Sequence, residues 1–264
     1  MAILLTGDFH GNALGELQII TQDSLFHKYG QDLYGSINYH IILGDGGFFW
    51  PNNIEDDKYN FQILSKRNFP ILCVLGNHEP IYGKKRKKEV DIGIGAKVYK
   101  INDNPFIAYL KRGKVYTIDG IKFLVLGGAL SIDKYRRIPD VTWWKNEYWS
   151  EQEKNDLFKL LETDNSFDCV ISHTGPRSIN KELFKYHDTY YDKSFDEVPI
   201  LNEEILNRIH FQQWWCGHWH EDEYLIDLDK KRKFQYLYRT TKILEKKNNK
   251  LIVHNEHGLK SPII

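Results

Sequence analysis

Eight side chains able to ligate a metal ion or move a proton stand at the ends of five short apolar runs. Asp8 and His10 close AILLTGDFH, Asp45 lies in YHIILGDGG, and Asn77 and His78 lie in FPILCVLGNHE. His173 lies in FDCVISHTG, and His218 and His220 end QQWWCGHWH. Taken singly, each has an ordinary explanation. Asp8 or Asp45 would cap a following helix, Asn77 would form an Asx-turn, and a lone histidine at a strand end is commonly a hydrogen-bonded structural residue. Five of the 11 histidines at one kind of position are hard to assign to packing. Asp8-x-His10 and His218-x-His220 are i, i+2 pairs, and in extended backbone both members of such a pair project to one side. Carboxylate, amide and imidazole without thiolate suit manganese, iron or zinc rather than a Cys-rich structural zinc site. Seven or eight ligands are too many for one ion and about right for two. A carboxylate with two available oxygens can bridge such a pair, and ions roughly 3.5–4 Å apart can hold a hydroxide and clamp a phosphate during in-line displacement.

The runs that carry these residues are about five residues long and rich in Ile, Val, Leu and aromatics, so they predict buried strands. Helical spacing lies between them, in NALGELQIITQDSLFHKYG and YNFQILSKRN, and Ser150-Glu151-Gln152-Glu153 reads as a capping box before KNDLFKLLE. Strands alternating with helices indicate an α/β chain, in which ligands sit outside the carboxyl ends of the strands. Asp119-Gly120 between two β-rich runs predicts a hairpin, and a second is expected to turn near Asp229-Lys230. Together these predict a two-sheet sandwich with helices outside. The segment at 187–199 reads as a long loop. Motifs spread from Asp8 to His220 leave no point at which to divide the chain, so residues 1–264 are expected to form one domain.

The 264 residues carry a formal net charge of zero, so no global basic field argues for nucleic acid or an acidic membrane surface. The first residues lack a basic n-region, and no apolar run approaches the roughly 18 residues that span a bilayer. Cys73, Cys169 and Cys216 lie in apolar runs without motif spacing, as expected of reduced thiols in a cytoplasmic protein.

GDFHGN, GDGG, GNHE, SH and GHWH, in that order over residues 7–220, resemble the five sequential motifs of the calcineurin-like metallophosphoesterases. The glycine-rich second motif and the stretch at 127–153 are similar to small bacterial and phage-associated members. The resemblance implies a four-layer αββα sandwich of two mixed sheets and a centre of two divalent ions, manganese foremost, with iron, zinc or nickel as alternatives. It implies that Asp8, His10 and His220 bind one ion and Asn77, His173 and His218 the other, with Asp45 bridging. His78 would act near the leaving group and Glu79 would orient it. The implied reaction is attack of metal-bound hydroxide on a phosphate mono- or diester, without a covalent enzyme intermediate.

Many relatives carry a second aspartate, and the protein phosphatases an arginine, in the second motif; here Asp45 is followed by Gly46, Gly47 and Phe48. Arg136 and Arg137 are the candidate replacements for gripping phosphate, with Arg177 a third. Asn12 would bind the substrate phosphate or cap a helix starting near Ala13. Trp143, Trp144 and Trp149 would wall the cleft or serve as core aromatics, and the basic run from Lys84 to Lys88 would steer an anion or form a solvated loop. The expected substrate is a phosphorylated small molecule, a nucleotide, a phosphoprotein or RNA. The alternatives are a nuclease or nucleotide phosphodiesterase and a non-catalytic binding scaffold of the same fold.

Overall fold

The computed structural model describes residues 1–11, 20–50, 54–82, 87–186, 196–227 and 231–255. Its strands are β1 (Ala2–Thr6), β2 (Ile37–Ile42), β3 (Ile71–Cys73), β4 (Lys88–Val90), β5 (Val98–Asn102), β6 (Ile107–Leu110) and β7 (Lys114–Ile118). They continue with β8 (Ile121–Val125), β9 (Cys169–Ile171), β10 (Gln213–Cys216), β11 (Glu223–Asp227), β12 (Arg232–Tyr236), β13 (Lys242–Lys247) and β14 (Lys250–His254). The helices are α1 (Gln22–Tyr29), α2 (Gln31–Gly35), α3 (Ile54–Leu64), α4 (Glu151–Thr163), α5 (Arg177–Tyr186) and α6 (Glu197–Leu206).

Among the described residues the strands form two mixed sheets, ordered β14-β13-β1-β2-β3-β6-β5-β4 and β11-β12-β10-β9-β8-β7. In the first, β1, β2, β3 and β6 run parallel; in the second, β8, β9, β10 and β12 do. Parallel strands are covered on both faces, which is why β1, β3, β6 and β9 are apolar almost throughout, whereas β12 alternates. Ile3 and Leu5 of β1 face the inter-sheet core with Ile41, Phe123, Ile171 and Trp215. Ala2 and Leu4 face outward and pack beneath Leu25 and Tyr29 of α1. Leu64 of α3 closes a second patch over the first sheet, against Ile71, Cys73 and Tyr109. Leu157, Leu183 and Ile205, from α4, α5 and α6, cover Val170, Trp214 and Phe234 of the other sheet. Helix, sheet, sheet and helix give the four layers that the motif order implied.

Local signals hold where local chemistry decides. Asp119 and Gly120 take φ of +49° and +75° between β7 and β8, the pair of left-handed conformations that a type I′ hairpin needs. The second hairpin pairs Asp227 with Arg232; its turn at 228–230 lies outside the described residues, as does the helix start near Ala13. The Ser150 hydroxyl accepts from the Glu153 amide at the start of α4, and the Glu153 carboxylate accepts from the Ser150 amide, completing the capping box. Of the loop expected at 187–199, residues 187–195 lie outside the described residues, and its end is corrected, since 197–199 open α6. Asp196 accepts from the Val198 amide and caps α6, whose Val198, Leu201 and Ile205 are drawn into the core. Cys73, Cys169 and Cys216 are buried free thiols, and no helix among the described residues is long and apolar enough to cross a membrane.

Ser150→Ala removes the cap of α4 and should lower unfolding stability by about 1 kcal/mol. The expected readout is a lower urea midpoint with an unchanged m-value. An unaltered midpoint would mean that the cap contributes nothing.

Candidate metal centre

The loops leaving β1, β2, β3, β9 and β10 converge. His10 N donates to Asp45 O (2.8 Å) and Gly11 N to Gly46 O (2.9 Å), tying the first two loops together. Gly217 N donates to His173 O at 2.9 Å, tying the last two. Close approach explains two glycines of the second motif. A Cβ on Gly44 would lie 2.2 Å from His173 Nδ1, and one on Gly47 would lie 2.3 Å from Gly11 N.

The reading of the i, i+2 pairs as extended backbone is corrected. His10, Asp45, His218 and His220 have φ of +48°, +49°, +73° and +56°. The chain turns sharply as it leaves each strand, so the pairs meet through tight left-handed turns. Each such non-glycine residue costs about 1 kcal/mol and persists only because its surroundings fix it.

His173 stands at the middle, fully buried. Its Nδ1 donates to Leu43 O (2.8 Å) and its Nε2 to Asn77 Oδ1 (2.9 Å). The same Nε2 is 3.5 Å from Asp45 Oδ2 and 3.8 Å from Asp8 Oδ1. Burial alone would lower its pKa, but Asp45 and Asp8 raise it to about 9. Burial pushes the Asp8 carboxyl up against the pull of His173. Burial acts in the same direction on Asp45, yet His173, His78 and His10 hold it well below the usual carboxylate range. His218 is kept neutral by burial and by the charge on His173.

Each carboxylate has one oxygen held by a backbone amide. Asp8 Oδ2 accepts from His218 N at 2.7 Å, and Asp45 Oδ1 accepts from His78 N at 2.8 Å. Asp45 Oδ1 keeps a second lone pair beside the amide it accepts, and Oδ2 faces His173 at 3.5 Å, so both oxygens can still meet a cation. Asp8 Oδ1 and His218 Nε2 are buried without a hydrogen-bond partner. Lone pairs removed from water and left unmatched are costly, and a cation would satisfy them. Two sets of donor atoms, Asp8–His10–His220 and Asp8–Asp45–His173, each lie within 4.8 Å of one another. The residues therefore fit divalent ions bound through oxygen and nitrogen.

The expected partnership between Glu79 and His78 is absent among the described residues. Glu79 is fully buried and accepts from Gly46 N (3.0 Å), Gly76 N (3.3 Å) and the Tyr109 hydroxyl (2.6 Å). It staples the second loop to the third. Burial and the nearby Asp45 raise its pKa to about 8, against the pull of those three donors. His78 instead has Nε2 at 3.1 Å from Asn77 Nδ2 and 3.4 Å from Arg137 Nη2, and its Nδ1 is buried without a partner.

The two neighbouring arginines part company. Arg137 turns toward His78 and lies over the Trp50 ring, whereas Arg136 is exposed over Tyr135. Arg177 opens α5, with no hydrogen bond to the donor cluster among the described residues. Asn12, Lys84, Lys85 and Arg86 lie outside the described residues; Lys87 lies over Tyr99. Trp149 is a core residue whose indole donates to Gly127 O, and Trp144 is buried edge-on to Trp50. The indole beside His78 is Trp50, at 6.4 Å between rings.

Sequence reasoning missed three supports. Tyr238 stacks on His220 at 4.3 Å, and its loop is held by Asp222, which accepts from the amides of Tyr238, Arg239 and Thr240. Ser131 and Glu147 stand behind Asn77. Nothing local marks Tyr238. Ser131 and Glu147 lie in the stretch at 127–153 already singled out.

Three solved structures resemble this one distantly. A Staphylococcus aureus protein assigned as a 5'-nucleotidase is 14% identical over 97% of this chain, with a TM-score of 0.49; the match spans 53% of that chain, about half its length. A phosphopantetheinyl hydrolase from Mycobacterium tuberculosis is 12% identical over 90% of each chain, with a TM-score of 0.42. Zinc-complexed Vps29 from Entamoeba histolytica is 14% identical over 96% of this chain and 90% of that one, with a TM-score of 0.36. Similarity this distant says nothing about substrate. No curated protein sequence matches. The family model for calcineurin-like phosphoesterases matches residues 1–222, a span that takes in all five converging loops, and the chain belongs to that family.

Proposed function

We propose that this chain is a metal-dependent phosphoesterase that hydrolyses phosphate mono- or diesters. The observation that carries the reading is the convergence of oxygen and nitrogen donors from five loops, with Asp8 Oδ1 and His218 Nε2 buried and unsatisfied among them. Asp8, His10 and His220 would hold one ion, Asn77, His173 and His218 the other, with Asp45 between them. The hard-to-borderline donor set favours manganese over a thiolate-loving metal. Such ions supply Lewis acidity, neutralising charge at phosphorus and acidifying water. Convergence of loops from Asp8 to His220 supports a single domain over 1–264, and three buried free thiols suit a reducing cytoplasm.

The chain's own residues do the rest. His78 stands beside the donor cluster, where an imidazole can pass a proton or a hydrogen bond to the departing oxygen. Arg137 takes the phosphate-gripping role that the second motif lacks. Asp133 holds its guanidinium at two points, Nε–Oδ1 at 2.8 Å and Nη2–Oδ2 at 2.7 Å, and Thr142 O accepts from Nη1 at 3.2 Å. The head is thus fixed near His78 before substrate arrives, which lowers the entropy lost on binding.

With Mn²⁺, the protein should hydrolyse p-nitrophenyl phosphate, its bis-ester, or both, and a chelator should abolish turnover. Inertness toward both esters with manganese, iron, zinc and nickel in turn would favour the scaffold alternative. His78→Ala should lower kcat by about 100-fold or more while leaving ion stoichiometry unchanged; full turnover at saturating metal would remove His78 from the mechanism. Arg137→Ala should lower kcat/KM by about 10–100-fold, the loss of one or two charged hydrogen bonds. Arg136→Ala should leave kcat/KM close to that of the unmutated protein, and equal effects of the two substitutions would refute the assignment.

A further inference from the structure

Asn77 can serve a cation only through its side-chain oxygen, because its NH₂ group has no lone pair to offer. The two ends of an amide are nearly the same size, and Asn77 is 3% exposed, so water does not choose between them. A device within the protein has to. Asn77 Nδ2 lies 3.2 Å from Ser131 Oγ, and Ser131 Oγ lies 2.6 Å from Glu147 Oε2. A serine hydroxyl has one proton. Donated to the Glu147 carboxylate, that proton leaves Oγ able only to accept, so the atom of Asn77 facing it must be the NH₂. The second N–H of Asn77 faces His78 Nε2 at 3.1 Å, and the freed Oδ1 faces His173 Nε2 at 2.9 Å within the donor cluster.

We propose that Ser131 and Glu147 are positioning residues that fix the orientation of the Asn77 amide, so that its oxygen is presented to a divalent ion. The proposal rests on the metal-centre reading given above. Glu147 has the side chains of Ser131, Trp143 and Tyr148 about its carboxylate. It is fully buried, and among the described residues no lysine or arginine side chain pairs with its carboxylate. A buried carboxylate without a cation is costly and needs a purpose. Its oxygens accept the hydroxyl and, at 3.3 Å, the backbone amide of Ser131. Its backbone is anchored separately: Arg112 donates to Glu147 O (3.1 Å) and Tyr148 O (2.7 Å) while paired with Glu153 of α4. The relay therefore runs from a fixed helix end to the amide of Asn77.

The test is Mn²⁺ titration of the chelator-stripped full chain, followed by electron paramagnetic resonance, with turnover measured alongside. The unmutated protein should take up two ions. Ser131→Ala should weaken one of them by about 10–100-fold and leave the other unchanged. Ser131→Thr, which keeps the hydroxyl, should restore tight binding. In an Asn77→Asp background an oxygen faces the ion either way round, so Ser131→Ala should cause no further weakening there. Two ions bound by Ser131→Ala as tightly as by the unmutated protein would overturn the inference alone. Equal weakening by Ser131→Ala with Asn77 intact and in the Asn77→Asp background would mark a merely structural role and also overturn it. An unmutated chain that binds no divalent ion would overturn the metal-centre reading and this inference with it.

Discussion

Two carboxylates, Asp8 and Asp45, are buried side by side where the two sheets meet, and the site depends on how their charge is balanced. Moving an ion out of water costs several kcal/mol even after the protein relaxes, and a second like charge adds to the cost. The balance comes from His173, whose proton the pair holds to about pH 9, and from amides of His218 and His78 that each neutralise one oxygen. Asp8 Oδ1 and His218 Nε2 stay unmatched, the His218 ring lying 4.9 Å from that of His173. An anionic, oxygen- and nitrogen-lined site is an environment in which divalent cations are strongly favoured.

The rest of the fold makes that crowding tolerable. At the centre, His10, Asp45, His218 and His220 are held in left-handed backbone, at about 1 kcal/mol each. A single fully buried aliphatic or aromatic side chain contributes about 1.5–3 kcal/mol. The inter-sheet core, with Leu5, Ile41, Phe123, Ile171 and Trp215 at its centre, therefore has ample margin to impose the turns. Glu79 shows the same division of labour: its carboxylate binds the amides of Gly46 and Gly76, holding two of the five loops together.

One excursion from the second sheet, between β8 and α4, reaches across to the centre. It sends Arg137 toward His78, backs Asn77 with Ser131 and Glu147, and closes against Arg112 and Trp149. A centre built from five loops thus takes its outer support from a sixth.

Whatever short-range chemistry decides could be read directly along the chain. Apolar runs of five residues are strands, Asp119-Gly120 is a hairpin turn, and Ser150 and Glu153 cap each other, because each depends on neighbours within a few residues. The motif order likewise made the family and the donor set legible. Tertiary structure decided what depends on distant partners. Arg136 and Arg137 are chemically identical neighbours, and only the placement of Asp133, Thr142 and His78 separates them. Glu79 follows His78 directly in the chain, yet its carboxylate is claimed by amides from two loops and by a tyrosine of β6. The left-handed turns at His10 and His218 also escaped a reading based on strand alternation. Alternation describes a chain still in its sheet, and these residues lie just past the point where close packing of five loops bends it away.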